Sequence, residues 1–64
     1  MLASGFILRT DHHFQVAFYN KVPVTVWQQG QILEYGGPID KISDLSVWIN
    51  GAAYLRVAYE FKVR

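Results

Sequence analysis

The stretch KVPVTVWQQGQILEYGGPIDKISDLSVWI, residues 21–49, decides the fold class of this 64-residue chain. Its runs VPVTVWQ and QILEY are rich in β-favouring residues and are separated by Gly30, a pattern typical of two strands joined by a hairpin. Gly36, Gly37 and Pro38 then interrupt the second run. Because glycine lets a strand bend sharply and proline cannot donate to a ladder, we expect a strand that turns a corner here.

Further turn signals divide the rest of the chain into short strands. Ser43 and Asp44 supply side-chain acceptors for a turn, and Asn50-Gly51 tolerates the positive φ angles of a type I′ hairpin. The last residues, YEFKVR at 59–64, alternate apolar and charged side chains, as a half-buried strand does. The sequence therefore predicts a mainly β domain of five short, strongly bent strands, which would close as a small SH3-like or OB-like barrel.

The chain is predicted to be a single domain, with an N-terminal segment at 1–20 and the barrel at 21–64. Two structures are compatible with the N-terminal segment. The run FQVAF, residues 14–18, alternates as a strand would, and local propensity favours this interpretation. Alternatively, Asp11 caps a short helix on which the apolar residues at 14, 17 and 18 share one face.

Size and composition indicate self-association. A domain of this length buries only about 60% of the surface of its unfolded chain, so the core alone is marginal. The chain has no Cys, and His12 and His13 are adjacent, so on a strand they point to opposite faces and cannot share a metal. Because 52% of the residues are hydrophobic, we expect surplus apolar surface that is covered in a homo-oligomer.

Charge and motif content exclude several function classes. The net charge of +1 provides no global field for nucleic acid or anionic lipid, so any polyanion site must be local. Asp40 and Asp44 lack a nucleophile and base beside them, and we expect neither an enzyme nor a cofactor or metal. No apolar run is long enough for a membrane span and no secretory signal is evident, which predicts a cytoplasmic protein.

Residues 22–49 resemble the first Sm motif of the Sm, Lsm and Hfq-like proteins, and KVPVTV is close to the corresponding strand of Hfq. In this resemblance Gly30 is the first glycine of the motif, Gly37 is the bend glycine and ISDLS, residues 42–46, is the turn segment. It implies an N-terminal helix, a homo-oligomeric ring and RNA binding. A second likeness, over residues 23–63, is to the YolD-like proteins of bacilli.

The chain departs from the Sm pattern at the positions that contact RNA. Ser43 stands where the family has Asp, and Ser46 where it has Asn or Thr. The second motif is represented by Leu55-Arg56-Val57, without its Gly or His. The resemblance then implies a phosphate contact at Arg56 and base contacts at the turn, where Asp44 is the acid.

A basic C-terminus adds a further candidate. Arg56, Lys62 and Arg64 concentrate positive charge in the last nine residues, near Tyr54 and Tyr59. Cations beside aromatic rings are how small barrels hold single strands. The alternative is that these charges protect an edge strand from aggregation, and the sequence leaves both interpretations open. The predicted nucleic-acid contacts are thus Ser43, Asp44, Ser46, Arg56 and Lys62.

The predicted subunit interface involves two strands. Alternation places Trp48 opposite the apolar face of its strand, where it is a better contact than core residue. The strand around Leu55 is expected to pair with the last strand of a neighbouring subunit, because open sheet edges are stabilised by continuing the sheet. The predicted interface residues are Trp48, Leu55, Tyr59, Phe61 and Val63.

The function predicted from these features is that of an Sm-like ring protein that binds single-stranded nucleic acid, RNA in preference to duplex. One alternative is an SH3-like protein-interaction or structural module, as in a phage or host accessory protein, without nucleic-acid binding. A YolD-like partner of DNA-damage functions is a third interpretation.

Overall fold

The computed structural model describes residues 2–64 as one antiparallel six-stranded sheet and one short helix, with 51% of these residues in strands. The elements in chain order are β1 (Ile7–Leu8), α1 (Asp11–Tyr19), β2 (Pro23–Gln28), β3 (Gln31–Ile42), β4 (Ser46–Ile49), β5 (Ala52–Leu55) and β6 (Glu60–Val63). Their order in the sheet is β1-β6-β2-β3-β4-β5.

The mainly β prediction is confirmed, but the predicted closed, five-stranded barrel is wrong for residues 2–64. A sixth strand, β1, comes from the N-terminal segment and pairs with β6. The sheet stays open, with β1 at one end and β5 at the other.

The bend in β3 organises the sheet. The first part of this strand pairs with β2 as far as Pro38, and the second part pairs with β4 from Ile39, shortly after Gly36 and Gly37. Gly36 has φ +62°, and a Cβ atom there would overlap the carbonyl oxygen of Val24 on β2. The predicted corner is therefore confirmed, and the closest backbone approach lies at Gly36, one residue before the glycine that the Sm resemblance assigned to the bend.

Two tight hairpins have the predicted turn geometry. Gln29 and Gly30 have φ angles of 51° and 75°, and Asn50 and Gly51 have 53° and 80°. Two consecutive positive φ angles are the signature of a type I′ turn, whose twist matches that of the strands it joins. These turns join β2 to β3 and β4 to β5, and so fix the register of both pairs.

The N-terminal segment contains a helix, so the strand interpretation of residues 14–18 is wrong and the helix alternative is confirmed. Thr10, not Asp11, is the N-cap: its side chain accepts from the His13 N–H, and His13 Nδ1 in turn accepts from the Thr10 N–H. This capping box satisfies backbone donors that would otherwise lack partners. Phe14 and Ala17 are buried on one face, and this tertiary packing overrides the local β propensity.

The core collects apolar side chains from α1 and from every strand except β5. Its buried members are Leu8, Phe14, Ala17, Val22, Val24, Val26, Ile39, Val47, Ile49, Phe61 and Val63. On β5, Tyr54 packs against this cluster while Ala52, Ala53 and Leu55 are exposed. No helix within residues 2–64 is long and apolar enough to cross a membrane.

We expect Gly36→Ala to be far more destabilising than Gly30→Ala, although both glycines have positive φ. Gly30 has open space around its Cα, so alanine there meets only the left-handed strain of roughly 1–2 kcal/mol. At Gly36 the added methyl group also displaces the β2 backbone, and the expected loss is about 3 kcal/mol or more. Urea unfolding of the two variants measures the difference. Equal losses of unfolding free energy would contradict the inference that the close approach of Gly36 to Val24 excludes a side chain.

Candidate functional site

Arg56 joins three parts of the molecule. It directly follows β5, its side chain is only 14% exposed, and its guanidinium carbon lies 4.4 Å from the centroid of the Phe14 ring on α1. Its Nη1 lies 2.8 Å from Oδ1 of Asp11 and donates to the carbonyl oxygens of Ser43 and Asp44, at 3.2 Å each. Arg56 thus ties the first turn of α1 to the turn between β3 and β4.

The turn at residues 43–46 is held largely by its own hydrogen bonds. The Ser43 hydroxyl oxygen accepts from the Ser46 N–H at 3.0 Å, and the Ser43 N–H donates to the Ser46 carbonyl at 2.9 Å. Ser46 also begins β4, where it pairs with Leu55. The Ser43 hydroxyl and the Ser46 backbone are therefore engaged within the turn, whereas Asp44 is exposed and lines the clefts described next.

Two clefts flank Arg56, and both are lined by Phe14, Asp44 and Arg56. The larger has a volume of about 390 Å³ and the smaller about 220 Å³. The larger is also lined by residues of β1 and the position that follows it, of the loop after β5 and of β6: Ile7, Leu8, Arg9, Val57, Tyr59 and Glu60. We call this larger cleft the Arg56 cleft.

Arg9 is a cleft residue that the sequence interpretation missed. It is exposed and lies between β1 and α1, so it reaches the Arg56 cleft because β1 pairs with β6. A two-residue strand has no periodicity that would predict this pairing. The cleft therefore contains two cations, Arg9 and Arg56, two acids, Asp44 and Glu60, and the half-buried Tyr59.

Lys62 lies away from this cleft. Its ammonium nitrogen is 4.1 Å from the centroid of the Trp27 ring. The Trp27 indole N–H donates to the Thr25 hydroxyl, which donates to the Lys62 carbonyl. Nη2 of Arg64 donates to the Tyr35 carbonyl. The three cations of the predicted C-terminal cluster, Arg56, Lys62 and Arg64, therefore lie in three separate places. Of these three, Arg56 alone lines the Arg56 cleft.

The predicted interface residues divide into two groups. Phe61 and Val63 are buried in the core, and β6 is paired with β1 on one side and β2 on the other. Gly5 and Phe6 extend this coverage through backbone hydrogen bonds with Val63. The prediction that a neighbour pairs with β6 therefore needs correction, because that edge is already occupied within the chain.

The other three predicted interface residues lie at or near accessible surface. Leu55 is exposed on β5, at the end of the sheet. Trp48 is half-buried on β4, with the Lys41 ammonium 4.9 Å from its ring centroid. Tyr59 is half-buried and packs edge-on against Tyr54, with ring centroids 5.4 Å apart.

The surroundings of Tyr54 displace its pKa. Desolvation raises the pKa of its hydroxyl, with smaller contributions from the nearby Glu34 carboxylate and from Tyr59. The raised pKa extends to higher pH the range in which the Tyr54 hydroxyl is neutral and can donate a hydrogen bond. Within residues 2–64, no group of three acidic, His or Cys side chains is arranged to hold a metal ion.

Comparisons of the chain with protein-family models, with curated proteins and with solved structures found no match.

We expect Arg56→Ala to lower the free energy of unfolding by about 2–3 kcal/mol, because it removes charged hydrogen bonds to two carbonyl groups and the packing over Phe14. Asp11→Asn should lower it by at most about 1 kcal/mol, since Asp11 is largely exposed and surface ion pairs contribute little. Urea unfolding of both variants tests this order. An unchanged free energy of unfolding in Arg56→Ala would show that this arginine does not stabilise the turn.

Proposed function

We propose that this chain is a small Sm-like protein that binds single-stranded nucleic acid, RNA in preference to duplex, in the Arg56 cleft, and that it acts as an oligomer. The observation that supports this function is the contact between Arg56 and the Ser43–Ser46 turn beside this cleft, to which the turn contributes Asp44. The Sm resemblance implies nucleic-acid contacts at both of these places. The cleft adds Arg9 and Tyr59, a second cation and an aromatic ring.

The size of the cleft favours an unpaired base as the bound group. Its volume, about 390 Å³, lies within the range of about 300–1,000 Å³ that is usual for small-molecule sites. A base in an unpaired strand can turn into such a space and stack on Tyr59, an interaction worth roughly 1–3 kcal/mol. A duplex keeps its bases stacked inside the helix and cannot use the cleft in this way.

The charges of the cleft assign different parts of a nucleotide to different residues. Arg9 is exposed at the cleft and is the cation suited to a phosphate group. The Asp44 carboxylate accepts hydrogen bonds, and so it favours bases with an exocyclic amino group. Arg56, engaged with two carbonyl groups and Asp11, contributes its positive field and holds the turn in place.

A protein-interaction module without nucleic-acid binding is the second candidate function. It is favoured by the exposed, uncharged strand β5 and by the large apolar side chains beside it, Leu45, Leu55 and Val57. Oligonucleotide binding discriminates between the two candidates, because the second predicts none.

We expect Arg9→Gln to weaken binding of labelled oligo-U and oligo-A several-fold. It should also reduce the slope of log affinity against log salt by about 0.7, because the variant neutralises one phosphate fewer on a single strand. Asp44→Asn should change the ranking of oligo-U and oligo-A more than the mean affinity. Fluorescence anisotropy at low and moderate salt, with a matched DNA strand and a duplex for comparison, measures both effects.

Lys21→Gln is the matched control, because it removes the same charge from an exposed residue at the far end of α1 from the cleft. It should leave the affinity within a factor of about two, as expected for a screened, distant charge. Equal weakening by Lys21→Gln and Arg9→Gln would place binding outside the cleft. If the unchanged protein binds none of the oligonucleotides at about 50 µM, the protein-interaction module replaces nucleic-acid binding as the proposed function.

A further inference from the structure

The two ends of the sheet are not equivalent. At one end, β1 contributes only the two residues Ile7 and Leu8. At the other end, β5 contributes four residues, AAYL, and within residues 2–64 no strand pairs with its outer edge. Natural sheets protect such edges with charged residues, proline or bulges. The β5 sequence has no charge and no proline, so its outer backbone groups are open to pairing. The Leu55 carbonyl already accepts from the Ala58 N–H at 3.1 Å, and a carbonyl oxygen has a second lone pair for a partner strand.

Exposed apolar side chains lie beside this edge. Leu45, Leu55 and Val57 are 70%, 53% and 92% exposed. The backbones of Leu45 and Leu55 are neighbours, because Ser46 pairs with Leu55 and the Arg56 N–H donates to the Leu45 carbonyl at 2.8 Å. An unpaired strand and an adjoining apolar surface together have the two properties of a site for strand addition.

We propose that the occupant of this edge is a second copy of the chain, with the two β5 strands paired antiparallel about a two-fold axis. An uncharged strand meets itself without repulsion between like charges, and a two-fold axis closes the assembly at two chains. A head-to-tail ring would instead require β5 to pair with β1 of the next copy, which offers only two residues, because β1 already covers β6.

Symmetry and side-chain alternation restrict the register. Directly paired residues of an antiparallel ladder point to the same face of the sheet. The two-fold axis must therefore lie where one residue pairs with its own copy, because an axis between two residues would pair side chains that point to opposite faces. With the axis at Tyr54, Ala53 of each chain pairs with Leu55 of the other. Ala53 also pairs with Trp48 on β4, so Trp48, Ala53 and the Leu55 of the second copy form one row. This register covers Leu55 and shields Trp48.

The same geometry predicts a weak dimer. One four-residue strand pair with its neighbouring side chains covers less than the ~800 Å² per partner of a standard interface. The association should therefore be reversible in the micromolar range or above and depend on concentration, and a single charged side chain at Leu55 should abolish most of it.

Sedimentation equilibrium up to about 1 mM protein tests the proposal. We expect the mass to rise from 7.4 kDa for one chain towards twice that value. Leu55→Lys should raise the dissociation constant at least about ten-fold, because two lysines then lie near the axis. Leu33→Lys is the matched control: Leu33 is 51% exposed on β3, two strands away from β5, and its variant should dimerise as before.

A second readout follows Trp48 directly in a Trp27→Phe background, where Trp48 is the one remaining tryptophan. The fluorescence emission of Trp48 should shift to the blue as the protein concentration rises, because the second copy shields its ring from water. This shift should be absent in the Leu55→Lys variant. If Leu55→Lys loses its β circular dichroism, Ala53→Lys provides the same test at another exposed position of β5. A monomer at all concentrations, a mass above two chains, or equal effects of Leu33→Lys and Leu55→Lys would each overturn the proposal.

Discussion

The close approach of Gly36 to the backbone of Val24 is the constraint on which the rest of the structure depends. It lets a single twelve-residue strand, β3, pair with β2 through one part and with β4 through the other. Because side chains alternate along every strand, the bend turns the inward faces of both halves towards a common core. Val24 and Val26 on β2 thus share that core with Val47 and Ile49 on β4.

The corner also explains why Arg56 is largely buried. With β4 and β5 folded over the first half of the sheet, the end of β5 comes close to α1 and to the turn that follows β3. Two backbone carbonyls of that turn and the Asp11 carboxylate face the same region, and a planar cation with several N–H donors satisfies all three. The Phe14 ring lies under the guanidinium group and connects it to the core. The same residue therefore holds the fold together and forms one wall of the candidate site.

Strand β1 has the opposite effect at the other end of the sheet. By pairing with β6 it covers an edge that would otherwise be open to a neighbour, and it carries Arg9 to the Arg56 cleft. A short N-terminal segment thus changes both the available assembly surface and the composition of the cleft. The β5 edge has no strand partner among residues 2–64, and exposed apolar side chains lie next to it. Strand β5 contributes only the half-buried Tyr54 to the core and carries no charge, and these are the properties on which the proposed pairing with a second copy is based.

The sequence by itself determined the turns and most of the strands. Gly30, Asn50 and Gly51 identify their hairpins because few other residues adopt positive φ at low cost, and this is a local property. The alternation of Phe61 and Val63 with charged residues likewise located β6, although it did not show that both of its edges are occupied. The meeting of the Ser43–Ser46 turn with Arg56 was also implied by the Sm resemblance. Three features were decided only by tertiary structure. Residues 14–18 have strand-like alternation but form a helix, because Thr10 and His13 cap it and Phe14 and Ala17 are buried against the sheet. The cations Arg56, Lys62 and Arg64 are near in sequence but lie in separate places, because the strand and its preceding loop turn them towards different surroundings. The pairing of Ile7 and Leu8 with β6 depends on contacts more than fifty residues apart, and no local pattern in a two-residue strand encodes them.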